Sequence, residues 1–291
     1  MIDLSSFSDN VRTLWDRMDP CTLCPQNCRA HRSRGQTGFC GIGDEPLVSS
    51  VGPHFGEESV LVGPGGSGTI FFAGCNLHCV FCQNYDISQH RVGRPASVEP
   101  LARAMLDLQR MGCSNVNFVT PSHLAAPIAA ATELARDSGL TLPTVYNSGG
   151  YDSVETLRLL EGLIDIYMPD MKYADAGVAE ELSAARDYPE HNAAAVKEMH
   201  RQVGDLQVEN GLATRGLLVR HLVLPENLAG SLKIIDFLAC EISPHTTINI
   251  MNQYRPCHQA HLHPQINRRP TAAELAAPRR YALARGLNVL D

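Results

Sequence analysis

The fold of this chain is decided by one stretch, Gly68-Thr69-Ile70-Phe71-Phe72-Ala73-Gly74-Cys75-Asn76-Leu77-His78-Cys79-Val80-Phe81-Cys82. The apolar run Thr69–Ala73 is typical of a buried β-strand, and three cysteines follow it with the spacing C-x3-C-x2-C. A compact loop with three thiols suits an iron–sulfur cube in which the fourth iron stays open to a small molecule. Buried or zinc-bound cysteines are the alternative, but zinc usually takes four ligands, and His78 is poorly placed as the fourth. The stretch predicts a reactive [4Fe-4S] cluster on Cys75, Cys79 and Cys82.

Composition narrows the function classes. The chain has 291 residues with 24 Lys and Arg against 31 Asp and Glu, so its formal net charge is −7. This charge provides no general attraction to phosphate backbones, and we expect no nucleic-acid partner. Apolar runs stay short of the roughly 18 residues of a membrane span, and residues 1–10 do not resemble a signal peptide. We therefore expect a cytoplasmic protein that does not bind membranes.

Cysteine usage favours metal ligation over disulfides. Seven of the ten cysteines fall in two tight groups, whereas disulfides require an oxidising compartment. The N-terminal group has the spacing C-x2-C-x3-C-x11-C, which matches no single standard zinc motif. Four thiols can complete a coordination sphere, so we predict a structural zinc ion or an auxiliary iron–sulfur cluster, with metal-free cysteines as the alternative. The predicted ligands are Cys21, Cys24, Cys28 and Cys40.

After residue 60 the chain alternates β-rich runs with amphipathic stretches, which is the α/β pattern. Six strand–helix units of some 30 residues each fit the remaining length of about 230 residues, while eight would not. We predict a partial (β/α)6 TIM-like barrel over residues 61–291, preceded by a cysteine-rich segment and connector over residues 1–60. The predicted strands are Thr69–Ala73, Asn115–Thr120, Thr144–Tyr146, Ile164–Met168, Gly216–Leu224 and Thr246–Met251.

Polar residues follow these strands where each one ends. Active sites of such barrels lie at the carboxyl ends of the strands, so the polar residues should share one mouth. Asp170 and Lys172 lie two positions apart and face the same side, where they can bind a charged ligand, an alkali cation or the substrate. A solvated ion pair is the alternative. His123 is predicted on the substrate face. Arg220 and His221 are adjacent on one strand, so at most one of them enters the barrel.

The third strand ends in Asn147, Ser148, Gly149 and Gly150. Glycine lets a backbone approach a ligand closely, and the Asn and Ser side chains add hydrogen-bonding groups. These four residues are therefore predicted to bind a cofactor. An ordinary glycine turn between strand and helix is the alternative.

Three further motifs are weaker. Gly63–Gly68 satisfies G-x-G-x-x-G, but it precedes a strand instead of following one, so we reject a dinucleotide site. The tract 257–263 contains one cysteine and three histidines, yet clustered histidines in a Pro-bounded loop are commonly just a polar surface. Cys113 and Cys240 stand in apolar surroundings and are predicted to lie in the core.

Taken together, these motifs resemble the radical S-adenosylmethionine (SAM) enzymes, specifically the pyruvate formate-lyase activating enzyme-like proteins with an N-terminal cysteine block. The cysteine triad is the diagnostic part, and Phe81, an aromatic before its last cysteine, also fits. The resemblance implies a [4Fe-4S] cluster whose open iron chelates SAM, and reductive cleavage of SAM to methionine and a 5′-deoxyadenosyl radical. It implies a substrate that yields hydrogen, such as a glycine of a partner protein, and a reductant such as flavodoxin or ferredoxin.

The resemblance also assigns roles to the site residues. Phe81 would lie near the adenine, the segment 147–150 would cradle SAM, and Asp170 and Lys172 would orient its polar end or the substrate. One motif departs from the family pattern. Many activating enzymes end the second strand in Gly-Gly-Glu, which receives the methionine amino group, whereas here the sequence is Thr120-Pro121-Ser122-His123. The amino group must be held differently, and the likeness to activating enzymes does not by itself imply glycyl-radical installation.

Two rival functions follow from the same residues. A non-catalytic iron–sulfur or zinc protein, such as a cluster carrier or redox sensor, would exchange its cluster and would not cleave SAM. A radical SAM enzyme that modifies RNA is disfavoured by the acidic balance and by the lack of a basic segment interleaved with aromatics.

Overall fold

An open, mostly parallel β-sheet forms the body of the protein, and the computed structural model describes residues 3–290. Its strands are β1 (Leu47–His54), β2 (Ser67–Phe72), β3 (Arg94–Pro95), β4 (Val116–Val119), β5 (Thr144–Ser148), β6 (Ile166–Pro169), β7 (Gln207–Glu209), β8 (Leu212–Leu222), β9 (Thr247–Met251) and β10 (Asn288–Val289). They are ordered β10-β9-β8-β6-β5-β4-β2-β1-β3, with β7 paired to β8 off this path.

Helices lie between the parallel strands, and one further helix precedes all the strands. They are α1 (Asp9–Asp16), α2 (Tyr85–Ser88), α3 (Val98–Arg110), α4 (Ala125–Asp137), α5 (Val154–Leu159), α6 (Ala176–Ser183), α7 (Tyr188–Val203), α8 (Ser231–Phe237) and α9 (Ala272–Ala284). Alternating strand and helix makes each connection between neighbouring parallel strands a crossover. Helix α4 is almost entirely buried, because its many alanines allow it to lie close to its neighbours.

The predicted partial barrel is confirmed. Strands β2, β4, β5, β6, β8 and β9 pair in parallel and coincide with the six predicted strands, and the sheet stays open. Strand β1 was missed because it lies in the Gly- and Pro-rich connector, whose composition is typical of loops. It pairs antiparallel with β2.

Alternation along the strands separates two buried layers. Phe118, Tyr146, Tyr167 and Val219 belong to the main core, together with residues of the surrounding helices. The strand residues that alternate with these, Val145, Ile166, Met168 and Leu218, form a separate apolar cluster together with Leu61 and Ala213. Met168 of this cluster lies two positions before Asp170, so the cluster lies on the face of the sheet to which Asp170 belongs.

The segment before residue 60 packs directly on the barrel. Val11 and Leu14 of α1 are fully buried in the main core, and α1 contacts α4 and α5. Cys113 lies in the same core, as predicted. Cys240, in contrast, is exposed, so its predicted core position is wrong. It lies in the helical turn Leu238–Ile242, two positions after the buried Leu238, and a step of two residues leads to the opposite side of a helix.

Candidate active site

The predicted cluster ligands lie on the loop that follows β2. Cys75, Cys79 and Cys82 are all free and partly exposed. The backbone N–H of Leu77 donates to Cys75 Sγ at 3.4 Å, and Ser183 Oγ donates to Cys79 Sγ at 2.9 Å. Hydrogen bonds to sulfur are one of the means by which a protein tunes an iron–sulfur cluster. The loop therefore presents three thiols whose surroundings already suit cluster ligation.

Other segments hold this loop from both sides. Asn76 Nδ2 donates to the carbonyl of Tyr151 at 2.6 Å, and the backbone N–H of Val80 donates to the carbonyl of Leu182 at 2.9 Å. The ring of His78 stacks on Phe39 with centroids 4.0 Å apart. His78 thus packs against the N-terminal segment, in keeping with the expectation that it is no fourth ligand.

The charge state of the thiols depends on what they bind. Burial raises the pKa of Cys75 and of Cys79, and the nearby Lys172 ammonium opposes that rise. A buried thiol stays protonated unless a cation takes the place of the proton, and a coordinating metal deprotonates it outright. The donor set therefore fits an iron cluster that brings its own positive charge.

Asp170, at the end of β6, is the centre of a charged network. Its Oδ2 accepts from Lys172 Nζ at 2.5 Å, and its Oδ1 accepts from Arg220 Nε at 3.0 Å. Arg220 Nη2 also donates to Asn147 Oδ1 at 2.6 Å. The two predicted charged residues therefore do lie together, and Asn147 joins them through Arg220. All three charged side chains are mostly buried.

Burial and pairing act against each other on these groups. Burial alone would raise the pKa of Asp170, but Arg220 and Lys172 outweigh it and hold that pKa below its ordinary value. Burial alone would lower the pKa of Lys172 and of Arg220, and Asp170 reverses both shifts. Each group is therefore ionised because of its partners, as expected for a buried ion-pair network.

The segment 147–150 at the end of β5 packs partly against neighbouring protein groups and partly against the cysteine loop. Ser148 Oγ donates to Asp152 Oδ2 at 2.6 Å, so this hydroxyl is bonded inside the protein. Gly150 has φ +75°, and an added Cβ would lie 2.0 Å from the carbonyl oxygen of Asp170. At Gly149 an added Cβ would meet Leu77 of the cysteine loop at 3.1 Å. Gly149 is therefore the residue of this segment that lies against the predicted cluster loop.

Phe81 and His123 are both buried, in different places. Phe81 meets Tyr254 edge to face with centroids 5.6 Å apart, so it forms an apolar wall beside the cysteines. His123 Nε2 lies 3.0 Å from the carbonyl oxygen of Ala73, and no solvent reaches the side chain. Burial, assisted by Arg32, lowers the pKa of His123 to about 3, so this imidazole is neutral at physiological pH.

The N-terminal thiols surround a buried arginine. Arg32 is 1% exposed, and its Nη2 lies 3.5 Å from Cys40 Sγ. Its Nη1 donates to the carbonyl of His123 at 2.9 Å, and within residues 3–290 its Nε has no hydrogen-bond partner. Burial raises the pKa of Cys21 and of Cys40, and the Arg32 guanidinium opposes that rise. The pKa of Cys28 is lowered, because backbone hydrogen bonds and, to a smaller extent, Arg32 outweigh its burial. A buried guanidinium requires negative charge nearby, which metal-bound thiolates would supply.

The acidic residues of the connector were missed by the sequence reasoning. Glu57 Oε2 and Glu58 Oε1 lie 3.9 and 4.0 Å from Arg220 Nη1, and Glu58 Oε1 accepts from Asn249 Nδ2 at 3.0 Å. The sequence signal was only an acidic pair in a Gly-rich connector, which is usually solvated. Arg220 itself was identified as one of two candidates, and His221 points to the other side, where its Nδ1 lies 2.6 Å from the carbonyl oxygen of Met171.

The tract 257–263 is spread over the surface instead of converging. His258 stacks on Tyr85 with centroids 5.0 Å apart, while His263 Nδ1 lies 3.1 Å from Glu181 Oε1. This agrees with the interpretation of the tract as a polar surface.

Comparison with known proteins identifies the family. Residues 69–238, more than half of the chain, match the model of the radical SAM superfamily. The chain belongs to the radical SAM superfamily. Membership supports an enzyme and implies a [4Fe-4S] cluster and SAM as cofactors. It does not distinguish the activating enzyme-like subgroup.

Individual relatives give less information about function than the family match does. An uncharacterized protein of Methanocaldococcus jannaschii is 35% identical over 267 residues, which cover 88% of this chain and 72% of that protein. The fold resembles SuiB of Streptococcus suis, whose crystal structures contain S-adenosylmethionine in one case and the precursor peptide SuiA in another. For the structure with S-adenosylmethionine, the TM-score is 0.50 and the sequence identity is 12% over 74% of this chain. This chain spans about half of the SuiB chain, 47%.

The spacing of the thiols differs from that of ligands around a single metal ion. Over residues 3–290, no three Cys, His, Asp or Glu side chains lie at the spacing of ligands around a single metal ion. In a [4Fe-4S] cube each thiolate binds a different iron, so its ligands lie farther apart than those of one ion.

In the part of the chain that the structure describes, no helix is long and apolar enough to cross a membrane.

Proposed function

We propose that this chain is a radical SAM enzyme in which Cys75, Cys79 and Cys82 hold the [4Fe-4S] cluster and the neighbouring strand ends hold SAM. The observation that carries this proposal is the position of the three thiols on one loop after β2, with Lys172 close enough for its charge to oppose the burial that raises the pKa of Cys75 and Cys79. Held by these cysteines, a reduced cluster would supply the electron for cleavage of SAM to methionine and a 5′-deoxyadenosyl radical. The protein binds and orients SAM beside the cluster and excludes water from the site.

Asp170 and Lys172 are proposed to orient the charged end of SAM. Because Gly-Gly-Glu is absent from the end of β4, the amino group needs another acceptor, and Asp170 is a mostly buried carboxylate at the same mouth. Lys172 and Arg220 keep it ionised, which strengthens any hydrogen bond that it accepts from an ammonium group. Lys172 is correspondingly suited to a carboxylate.

The remaining predicted residues fit supporting roles. Phe81 and Tyr254 provide an apolar wall that excludes water beside the cysteines. Gly149 is proposed to let SAM approach the backbone opposite Leu77. His123, which is buried and neutral, is proposed to position the loop after β2 through the carbonyl of Ala73. This positioning role replaces the predicted place of His123 on the substrate face, because no solvent reaches its side chain.

For the substrate we propose a polypeptide, with a glycine of a partner protein as the specific candidate. The support is the resemblance of the motifs to the activating enzymes and the fold shared with SuiB, which binds a precursor peptide. A flavodoxin or ferredoxin is the proposed reductant. We also propose that residues 1–60 form a metal-binding segment next to a barrel over residues 61–291. Its four cysteines would hold an auxiliary iron–sulfur cluster or, once they close around a single ion, zinc.

Replacing the three loop cysteines tests the proposal. We expect the Cys75→Ala, Cys79→Ala, Cys82→Ala triple variant, reconstituted anaerobically, to lose about four irons per chain and all 5′-deoxyadenosine formation with dithionite and SAM. Cys240→Ala is the control, because Cys240 is exposed and outside both cysteine groups. Retained SAM cleavage in the triple variant would refute the ligand assignment. A wild-type protein that binds the cluster but never cleaves SAM would instead be a carrier or sensor.

A further inference from the structure

A cavity of about 750 Å³ opens beside the charged network at the carboxyl ends of the strands. The connector 55–59 and the ends of β8 and β9 line it, through Phe55, Glu57, Glu58, Arg220, Asn249 and Gln253. This volume lies in the range of small-molecule sites, about 300–1,000 Å³. The cavity is separate from the cysteine loop, since none of the three loop cysteines lines it.

The two glutamates of this cavity are buried, and Glu58 is incompletely paired. The side chain of Glu57 is only 8% exposed, and that of Glu58 is only 6% exposed. Among the described residues Glu58 Oε2 has no hydrogen-bond partner, although Asn249 donates to its other oxygen. Arg220 Nη1 is 3.9 and 4.0 Å away from the two carboxylates, too far for a hydrogen bond. A buried carboxylate oxygen in this state is costly unless a ligand pairs with it.

The local charges are also out of balance. Glu57, Glu58 and Asp170 supply three carboxylates, whereas Arg220 and Lys172 supply two permanent cations. The imidazole of His54 also acts on Glu57, but it adds a positive charge only when it is protonated. Arg220 donates through Nε to Asp170 and through Nη2 to Asn147, and its Nη1 stays beyond hydrogen-bond distance of both glutamates. Burial raises the pKa of Glu57, and Glu58 adds to this effect, although Arg220 opposes it. One further positive charge would balance the site.

We infer that this cavity is a substrate subsite for an organic cation, an ammonium or guanidinium group on an apolar stem, which pairs with Glu57 and Glu58. The exposed ring of Phe55, at 65% exposure, lines the same cavity and suits the stem. Lysine and arginine side chains of a polypeptide have this chemistry. The role as a substrate subsite rests on the proposed function, whereas the affinity for a cation does not.

Calorimetry with three probes tests the inference on the reconstituted protein. The probes are the Nα-acetyl methylamides of lysine, arginine and norleucine, of which only the first two carry a cationic group. We expect at least one cationic probe to bind about tenfold or more tightly than the norleucine probe, because charged hydrogen bonds are being formed. The lysine and arginine probes distinguish an ammonium from a guanidinium ligand. Saturating SAM, without reductant, should leave this binding in place.

Variants locate the site. The double variant Glu57→Gln, Glu58→Gln should lose the preference for the cationic probe, whereas Glu209→Gln, an exposed change on β7, should keep it. Equal binding of the norleucine probe, no binding of either cation, a preference retained in the double variant, or displacement by SAM would each overturn the inference. SAM cleavage by the wild-type protein is assayed separately. Cation binding without SAM cleavage would refute the proposed function alone, and cleavage without cation binding would refute this inference alone.

Discussion

Arg220 Nε lies 3.0 Å from Asp170 Oδ1, so one ion pair joins the carboxyl ends of β6 and β8. Lys172 occupies the second oxygen of the same carboxylate at 2.5 Å. The arrangement places an ionised acid at the mouth of the barrel without the Gly-Gly-Glu motif that many activating enzymes use. Its contribution can be measured by removing the charge alone.

Asp170→Asn is expected to weaken SAM binding about tenfold to a hundredfold, the equivalent of about 1.5–3 kcal/mol for a lost hydrogen bond to a charged group. Iron content should stay unchanged. Equilibrium dialysis of the reconstituted protein measures the dissociation constant. Asp165→Asn is the control, since Asp165 pairs with Arg136 just before β6, at the opposite end of that strand. A SAM dissociation constant that does not change in Asp170→Asn would mean that Asp170 serves the substrate or a cation.

Gly150→Ala and Gly149→Ala should behave differently. The Cβ at position 150 would meet the carbonyl oxygen of Asp170 at 2.0 Å with φ at +75°, so we expect a loss of about 2 kcal/mol or more in the free energy of unfolding. At position 149 the nearest atom is the flexible tip of Leu77 at 3.1 Å, so stability should change little while SAM binding weakens. Urea unfolding and SAM binding measure the two effects. Equal destabilisation by both changes would contradict this account.

His123 is expected to make stability depend on pH. Burial lowers its pKa to about 3 in the folded state, against about 6.5 when unfolded, so the unfolded state binds the extra proton between these values. The free energy of unfolding should therefore fall as pH falls below about 6.5, by about 1.4 kcal/mol per pH unit from this residue.

His123→Gln should remove that part of the slope, measured by urea unfolding between pH 7 and pH 5. The exposed His90→Gln variant, 60% exposed at the side chain, serves as the control. His221 leaves a residual slope of the same sign, because burial lowers its pKa to about 4. If wild type and His123→Gln have equal slopes, the imidazole is charged inside the fold.

The N-terminal cysteines should carry metal independently of the loop. We expect the quadruple variant of Cys21, Cys24, Cys28 and Cys40 to Ser to lose its zinc, or the iron beyond the first four per chain, and some stability, while part of the SAM cleavage survives. Elemental analysis of zinc and iron gives the result. The loop triple variant is the complementary control, and it should keep the N-terminal metal. Unchanged zinc and iron contents in the quadruple variant would rule this site out.

The sequence predicted the parts of the site that depend on local pattern. Apolar runs located the six parallel strands, and the two-residue period placed Asp170 and Lys172 on one face. Adjacent positions on β8 separated Arg220 from His221 in the same way. These features follow from strand geometry alone.

What depends on tertiary packing could not be predicted. Glu57 and Glu58 are buried only because the connector folds over the open side of the sheet, where Asn249 and Arg220 meet it. Their local sequence resembles a solvated loop. His123 is inaccessible because the N-terminal segment, through Arg32, packs on its backbone. A strand end predicts which mouth a residue is near, but not what covers it.

The segment that carries the two glutamates connects β1 to β2, which are paired antiparallel from Val48–Phe72 to His54–Ser67. A connection between antiparallel neighbours is the place where proteins accept changes in length and sequence most readily. The cysteines, Asp170 and Lys172 belong to other segments. If the cavity binds substrate as proposed, substrate preference would diverge by exchange of one short loop, while the residues proposed to generate the radical are inherited unchanged.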